Sequence, residues 1–178
     1  PTEQPAEGLA EPEVPEPDLE RFIDAQNGGG PGSSYKTALE EMLQGRKQGC
    51  WIWYVFPQFL DPGRAGSRNN RKFQLFSRAE AIAFIQDGTL GPRFAAIAEA
   101  VAAALAKDSA KCVMGGTVDA KKLHQSVTVF RLAAKEAGME DMEALLRGIL
   151  ERMQEQPYPG HAELEDPDMV AAWKLRDA

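Results

Sequence analysis

The chain has 178 residues, a formal net charge of −7, an apolar fraction of 43% and two cysteines. That length suits one domain with one core, and Cys50 and Cys112 form neither a disulfide framework nor a zinc spacing, so buried free thiols are expected. No run approaches the roughly 18 apolar residues of a membrane span, and the first residues lack a basic-then-apolar signal, so a cytoplasmic protein without membrane attachment is expected.

Residues 1–17 hold five glutamates and no basic residue among prolines, with almost nothing to bury. This composition predicts a disordered acidic Pro/Glu-rich tail. Asp18 is placed to cap a short helix with Leu19, Phe22 and Ile23 on one stripe, ended by Gly28, Gly29 and Gly30. Ser34 can cap a second helix whose inner face is Tyr35, Ala38, Leu39, Met42 and Leu43.

Cys50 to Phe59 is the densest aromatic stretch of the chain. Its composition suits a buried strand or a helix buried all round, and the want of a second convincing strand favours helix. Pro57 interrupts it, and residues 61–71, with Pro62, Gly63, Gly66 and Asn69-Asn70 among arginines, read as a mobile basic loop. Ser77 and Glu80 have capping-box spacing for a helix carrying Ile82, Phe84 and Ile85. Pro92 sits in the first turn of a long alanine-rich helix. Thr117 or Asp119 can cap a helix with the stripe Leu123, Val127, Phe130 and Ala134, and Met142, Leu145, Leu146, Ile149 and Met153 mark one more. The predicted organisation is therefore all-α: a single compact multihelical domain over residues 18–156, with a C-terminal linker and short helix over 157–178, where Asp166-Pro167 starts a helix bearing Val170 and Trp173.

Motifs for chemistry are sparse. The triple glycine lacks the Lys-Ser/Thr of a phosphate loop and follows a helix, and two histidines with isolated cysteines offer no zinc spacing. The aromatic run is either core or the wall of a cavity, and Trp51 and Trp53, two apart, cannot share a helical face. The first functional expectation is a pocket walled by Trp51, Trp53, Tyr54 and Phe56 for a planar or anionic small molecule, with Arg64, Arg68, Arg71 or Lys122 neutralising charge. Those arginines read more plainly as a solvated face. His124, at the edge of an apolar stripe, reads as a boundary histidine or, in the sharper version, as the axial ligand of a haem whose propionates pair with arginine. His161 reads as a solvated loop residue. A second expectation is an interaction module in which the aromatic block exposes a patch for a protein or nucleic-acid partner, steered by the basic loop, with the acidic balance arguing against nucleic acid. A third is an enzyme acting on a nucleotide-like substrate, which no residue set singles out.

Arg46-Lys47, Trp51 to Gln58, and Asp119 with Lys122-Leu123, Ser126, Thr128 and Phe130 resemble the signature blocks of the domain of unknown function 1810 family, and Leu90-Gly91-Pro92-Arg93 is similar to its helix start. The resemblance spans roughly residues 18–150 and implies a compact, mainly helical domain with no settled activity. It adds Ser126 and Thr128 as candidate ligand-binding positions. Cys50 stands where histidine is usual in the family, and Gln125-Ser126 replaces a pair of serines, so any binding there would differ.

Overall fold

The computed structural model describes residues 16–60 and 66–176, and within them the chain forms ten α-helices and no strand. The acidic tail, apart from its last two residues, and Arg64 lie outside the described residues. The helices are α1 (Glu20–Asp24), α2 (Tyr35–Leu43), α3 (Ile52–Val55), α4 (Arg68–Lys72), α5 (Arg78–Gln86), α6 (Leu90–Leu105), α7 (Ala110–Val113), α8 (Thr117–Glu136), α9 (Glu140–Glu155) and α10 (Pro167–Leu175). A π-helical turn, Ala25–Gly29, continues α1.

Side-chain caps set many of the starts. Ser34, Ser77 and Asp166 accept backbone N–H bonds from Thr37, Glu80 and Met169, satisfying donors that a helix start leaves open. Ser67 and Ser109 do the same for α4 and α7, two short helices that apolar periodicity does not reveal. Elsewhere the structure departs from expectation. Leu19, not Asp18, precedes α1, and Gly116, not Thr117 or Asp119, precedes α8, both without a side-chain cap. Glu80 does not close the capping box on Ser77; its carboxylate accepts from the backbone N–H of Phe76 at 2.7 Å and pairs with Arg21 at 2.7 Å.

The long helix α8 is the axis of the fold. From Leu123 to Phe130 every residue is buried, because α9, α5, α10, α7 and α3 pack around it. α6 lies against α2, α9 and α5, its small alanines allowing close approach. Between α5, α6 and α8 the rings of Phe84, Phe94 and Phe130 meet at 4.5–6.0 Å, and Phe22 and Phe56 extend this cluster to α1 and α3. Such tilted aromatic contacts add modestly to a large burial.

The aromatic run yields only one helical turn, Ile52–Val55, followed by an extended Phe-Pro-Gln segment that forms an isolated parallel bridge, Phe59 to Leu75. Ser126 Oγ donates to the carbonyl of Pro57 at 2.7 Å, tying that segment to α8. The C-terminal helix is integral to the core: Met169 and Trp173 are buried, and Trp173 lies 6.0 Å from Phe59, ring to ring. Both cysteines are exposed, against the expectation of buried thiols. No helix among the described residues is long and apolar enough to cross a membrane.

Candidate functional site

Alternation around the single turn of α3 divides the aromatic run. Trp51, Tyr54 and Phe56 are buried to 1% exposure or less, whereas Trp53 is only partly buried. Trp51 and Tyr54 are therefore structural. The indole N–H of Trp51 donates to Glu41 at 2.8 Å, and the Tyr54 hydroxyl donates to the carbonyl of Ser33 at 2.6 Å. Burial pushes the Tyr54 phenol up to about 12, so it stays a donor.

Trp53 faces a groove of about 590 Å³ between the Phe-Pro-Gln segment, the start of α4 and the first turns of α8. Gln58, Asn70, Lys121, Lys122 and Gln125 supply its polar lining, and Leu60 and Val118 its apolar one. Behind it lies a recess of about 20 Å³ lined by Phe56, Phe59 and Phe73 and shared with Trp53, Gln58, Asn70 and Lys122. That is room for roughly one water-sized group.

Two polar atoms of this wall have no partner among the described residues: the indole Nε1 of Trp53, a donor, and the amide Oε1 of Gln58, an acceptor. Buried polar atoms without partners are rare and costly. The Lys122 ammonium lies 5.4 Å from the Trp53 ring centre. Burial draws the Lys122 pKa down from its ordinary value, with Asp119 opposing and Lys47 reinforcing the shift. Lys47 is engaged elsewhere, bonded to Asp119 at 2.6 Å and to the carbonyl of Gly49 at 2.6 Å, which fastens the loop before α3 to the start of α8. The N-terminal turns of a 20-residue helix add positive potential to that of Lys121 and Lys122.

The structure thus brings Trp53 and Lys122 of the expected site together, with Phe56 in the recess, and separates the others among the described residues; Arg64 lies outside them. Arg68 and Arg71 are exposed on α4, and Arg71 donates to the carbonyl of Gly66 at 2.6 Å. Ser126 and Thr128 are fully buried, Thr128 Oγ1 donating to the carbonyl of His124 at 2.9 Å and accepting from the N–H of Asp166 at 3.0 Å. Gln58, Asn70 and Gln125, which the sequence places in the Trp-rich block, the basic loop and α8 without marking them as one lining, face the same groove.

His124 does not line the groove and is 2% exposed rather than at a boundary. Its Nε2 bonds the carbonyl of Leu164 at 2.9 Å and its Nδ1 the hydroxyl of Tyr158 at 2.9 Å. A carbonyl only accepts, so Nε2 carries the proton and Nδ1 accepts from Tyr158. Burial lowers the His124 pKa, with the Leu164 bond and Asp166 opposing. His161 is half-buried against Tyr158 at 4.4 Å, not a solvated loop residue. Packed beneath Tyr158 and His161, His124 presents no open ring face to a porphyrin, and it does not line either hollow described above.

No curated protein matches the chain. A crystal structure of the conserved hypothetical protein Rv1873 from Mycobacterium tuberculosis is similar, with 30% identity and a TM-score of 0.69, over 89% of this chain and 97% of that one. The profile of the family described as protein of unknown function (DUF1810) matches residues 16–156. With the Trp-rich turn, the Phe-Pro-Gln segment and the Asp119–Lys122 start of α8 all in one groove-forming unit, the chain belongs to that family.

Proposed function

We propose that the protein binds a small planar anion in the groove between Trp53 and the first turns of α8. The lining of the groove carries this reading, because the partly buried Trp53 ring, Lys121, Lys122 and the first turn of α8 border one hollow of about 590 Å³, and the unpartnered Trp53 Nε1 and Gln58 Oε1 lie within its wall. Lys121, Lys122 and the start of α8 would receive the negative group, and the indole face its planar part. Haem is not the ligand this geometry favours, since the groove holds no histidine and His124 is engaged elsewhere. An activity on a nucleotide-like substrate draws no support from the groove, whose lining offers no nucleophile–base pair.

Native mass spectrometry with an ultraviolet-visible spectrum of freshly purified protein tests the proposal. A co-purifying small-molecule mass is expected, lost in Trp53→Ala and Lys122→Ala, with no Soret band. An apo mass, together with unchanged Trp fluorescence against a panel of aromatic carboxylates and nucleotides, would overturn it. A Soret band that disappears in His124→Ala would restore the haem reading.

A further inference from the structure

The geometry points to a second site, apart from the groove, in which His124, His161 and Asp166 hold a divalent transition-metal ion of the zinc class. One nitrogen of each imidazole and one carboxylate oxygen of Asp166 all lie within 4.8 Å of one another. The three donors come from separate segments: the middle of α8, the loop after α9, and the cap of α10. An ion there would clasp the C-terminal segment onto the central helix.

Two features distinguish this cluster from a chance meeting of polar groups. Asp166 is 1% exposed, and its Oδ1 accepts only the backbone N–H of Met169, with no ion pair to it among the described residues. A carboxylate taken out of water calls for compensating charge, which a cation supplies. The bond from Nε2–H of His124 to the carbonyl of Leu164 meanwhile fixes the tautomer that leaves a lone pair on Nδ1. A carbonyl holding the far nitrogen is the usual support of a metal-bound histidine.

In the ion-free arrangement the Tyr158 hydroxyl occupies that lone pair at 2.9 Å. An ion bound through Nδ1 would displace this one neutral hydrogen bond and require no proton to leave His124. Bonds of about 2.0–2.1 Å in a tetrahedral site bring ligand atoms to roughly 3.4 Å apart, so from separations of at most 4.8 Å the cluster contracts by up to about 1.4 Å. His161 is the donor placed to move. It sits in the linker directly after Gly160, whose φ of 89° marks a turn, and is only half-buried. Two imidazoles with one carboxylate suit zinc, cobalt, nickel or ferrous iron and disfavour magnesium and calcium, which take oxygen ligands.

The test is titration of chelator-stripped full-length protein with Zn²⁺ by calorimetry and with Co²⁺ by visible absorption. The site predicts one tight equivalent, tetrahedral Co²⁺ bands, a raised melting temperature and no response to Mg²⁺. His161→Ala removes a half-buried ring stacked on Tyr158, so its fold is checked against the parent by circular dichroism, and it should weaken binding on the order of 100-fold or more. Asp166→Asn, which keeps a capping oxygen, should weaken it too. Absence of Zn²⁺ uptake by the parent would overturn the inference. So would uptake that His161→Ala leaves intact but Cys50→Ser or Cys112→Ser removes, which would assign the metal to the exposed thiols.

Discussion

Trp51 and Trp53 stand two positions apart and meet opposite surroundings. Trp51 is fully buried over Glu41 and Lys47, so Trp51→Ala should cost about 3–5 kcal/mol in urea unfolding. Trp53→Phe keeps the ring at the groove wall and frees it of an unpartnered N–H, so it should change stability by less than about 1 kcal/mol. Equal costs for the two would contradict this division. Glu41 deserves a pH experiment. Burial raises its pKa, but the N–H groups of Gln48 and Gly49, the indole of Trp51 and the charge of Lys47 outweigh burial and leave it below its ordinary value. A carboxyl whose folded pKa is depressed stabilises the fold above its unfolded pKa and ceases to do so as pH falls through the folded value. The parent should therefore lose stability below roughly pH 4.3 more steeply than Glu41→Gln, as read by denaturant midpoints across pH. Parallel pH profiles would remove Glu41 from the account.

At the scale of elements, helices with both a cap and an apolar stripe were legible, because both are local chemistry, whereas α4 and α7, capped by Ser67 and Ser109, have no stripe to announce them. Ser34, Ser77 and Asp166 precede their helices in the sequence and cap them in the structure. Ser77→Ala should cost about 1 kcal/mol by thermal or denaturant unfolding. The turn before α2 obeys a constraint that no periodicity announces. A Cβ on Gly32 would fall 1.7 Å from the carbonyl oxygen of Cys50, where Ser33 N–H already donates at 3.0 Å. Gly32→Ala should thus push the α3 turn away from α2, and a loss of several kcal/mol, larger than that of Ser77→Ala, is expected in the same assay. The aromatic run was the hardest element to read. Its apolar side chains serve several directions at once, so no single period appears, and a one-turn helix with an extended tail is set by its neighbours rather than by propensity.

At the scale of the whole molecule, the C-terminal segment closes the core. Tyr158, Met169 and Trp173 are buried, and Arg176 donates to the carbonyls of Phe76 and Leu60 at 3.0 and 3.4 Å. Removal of residues 157–178 should lower stability by at least the roughly 3–5 kcal/mol that burial of one tryptophan represents, and should uncover His124 and Phe59. Circular dichroism melts of the truncated and full chains check this; matching melts would show the segment to be an appendage.

The sequence by itself determined the all-helical class, the periodic helices α2, α5, α6, α8 and α9, the cap of α10, and the special status of the Trp-rich block. Those features depend on neighbours within a few residues, where period, cap chemistry and composition act directly. Only the tertiary structure decided that Trp53 rather than Trp51 faces a groove, that Gln58 and Lys122 share it, and that His124 and His161, 37 positions apart, meet over Asp166. Each depends on which side of α8 a distant segment packs, and that choice is made by the summed burial of the core, which no local stretch of residues encodes.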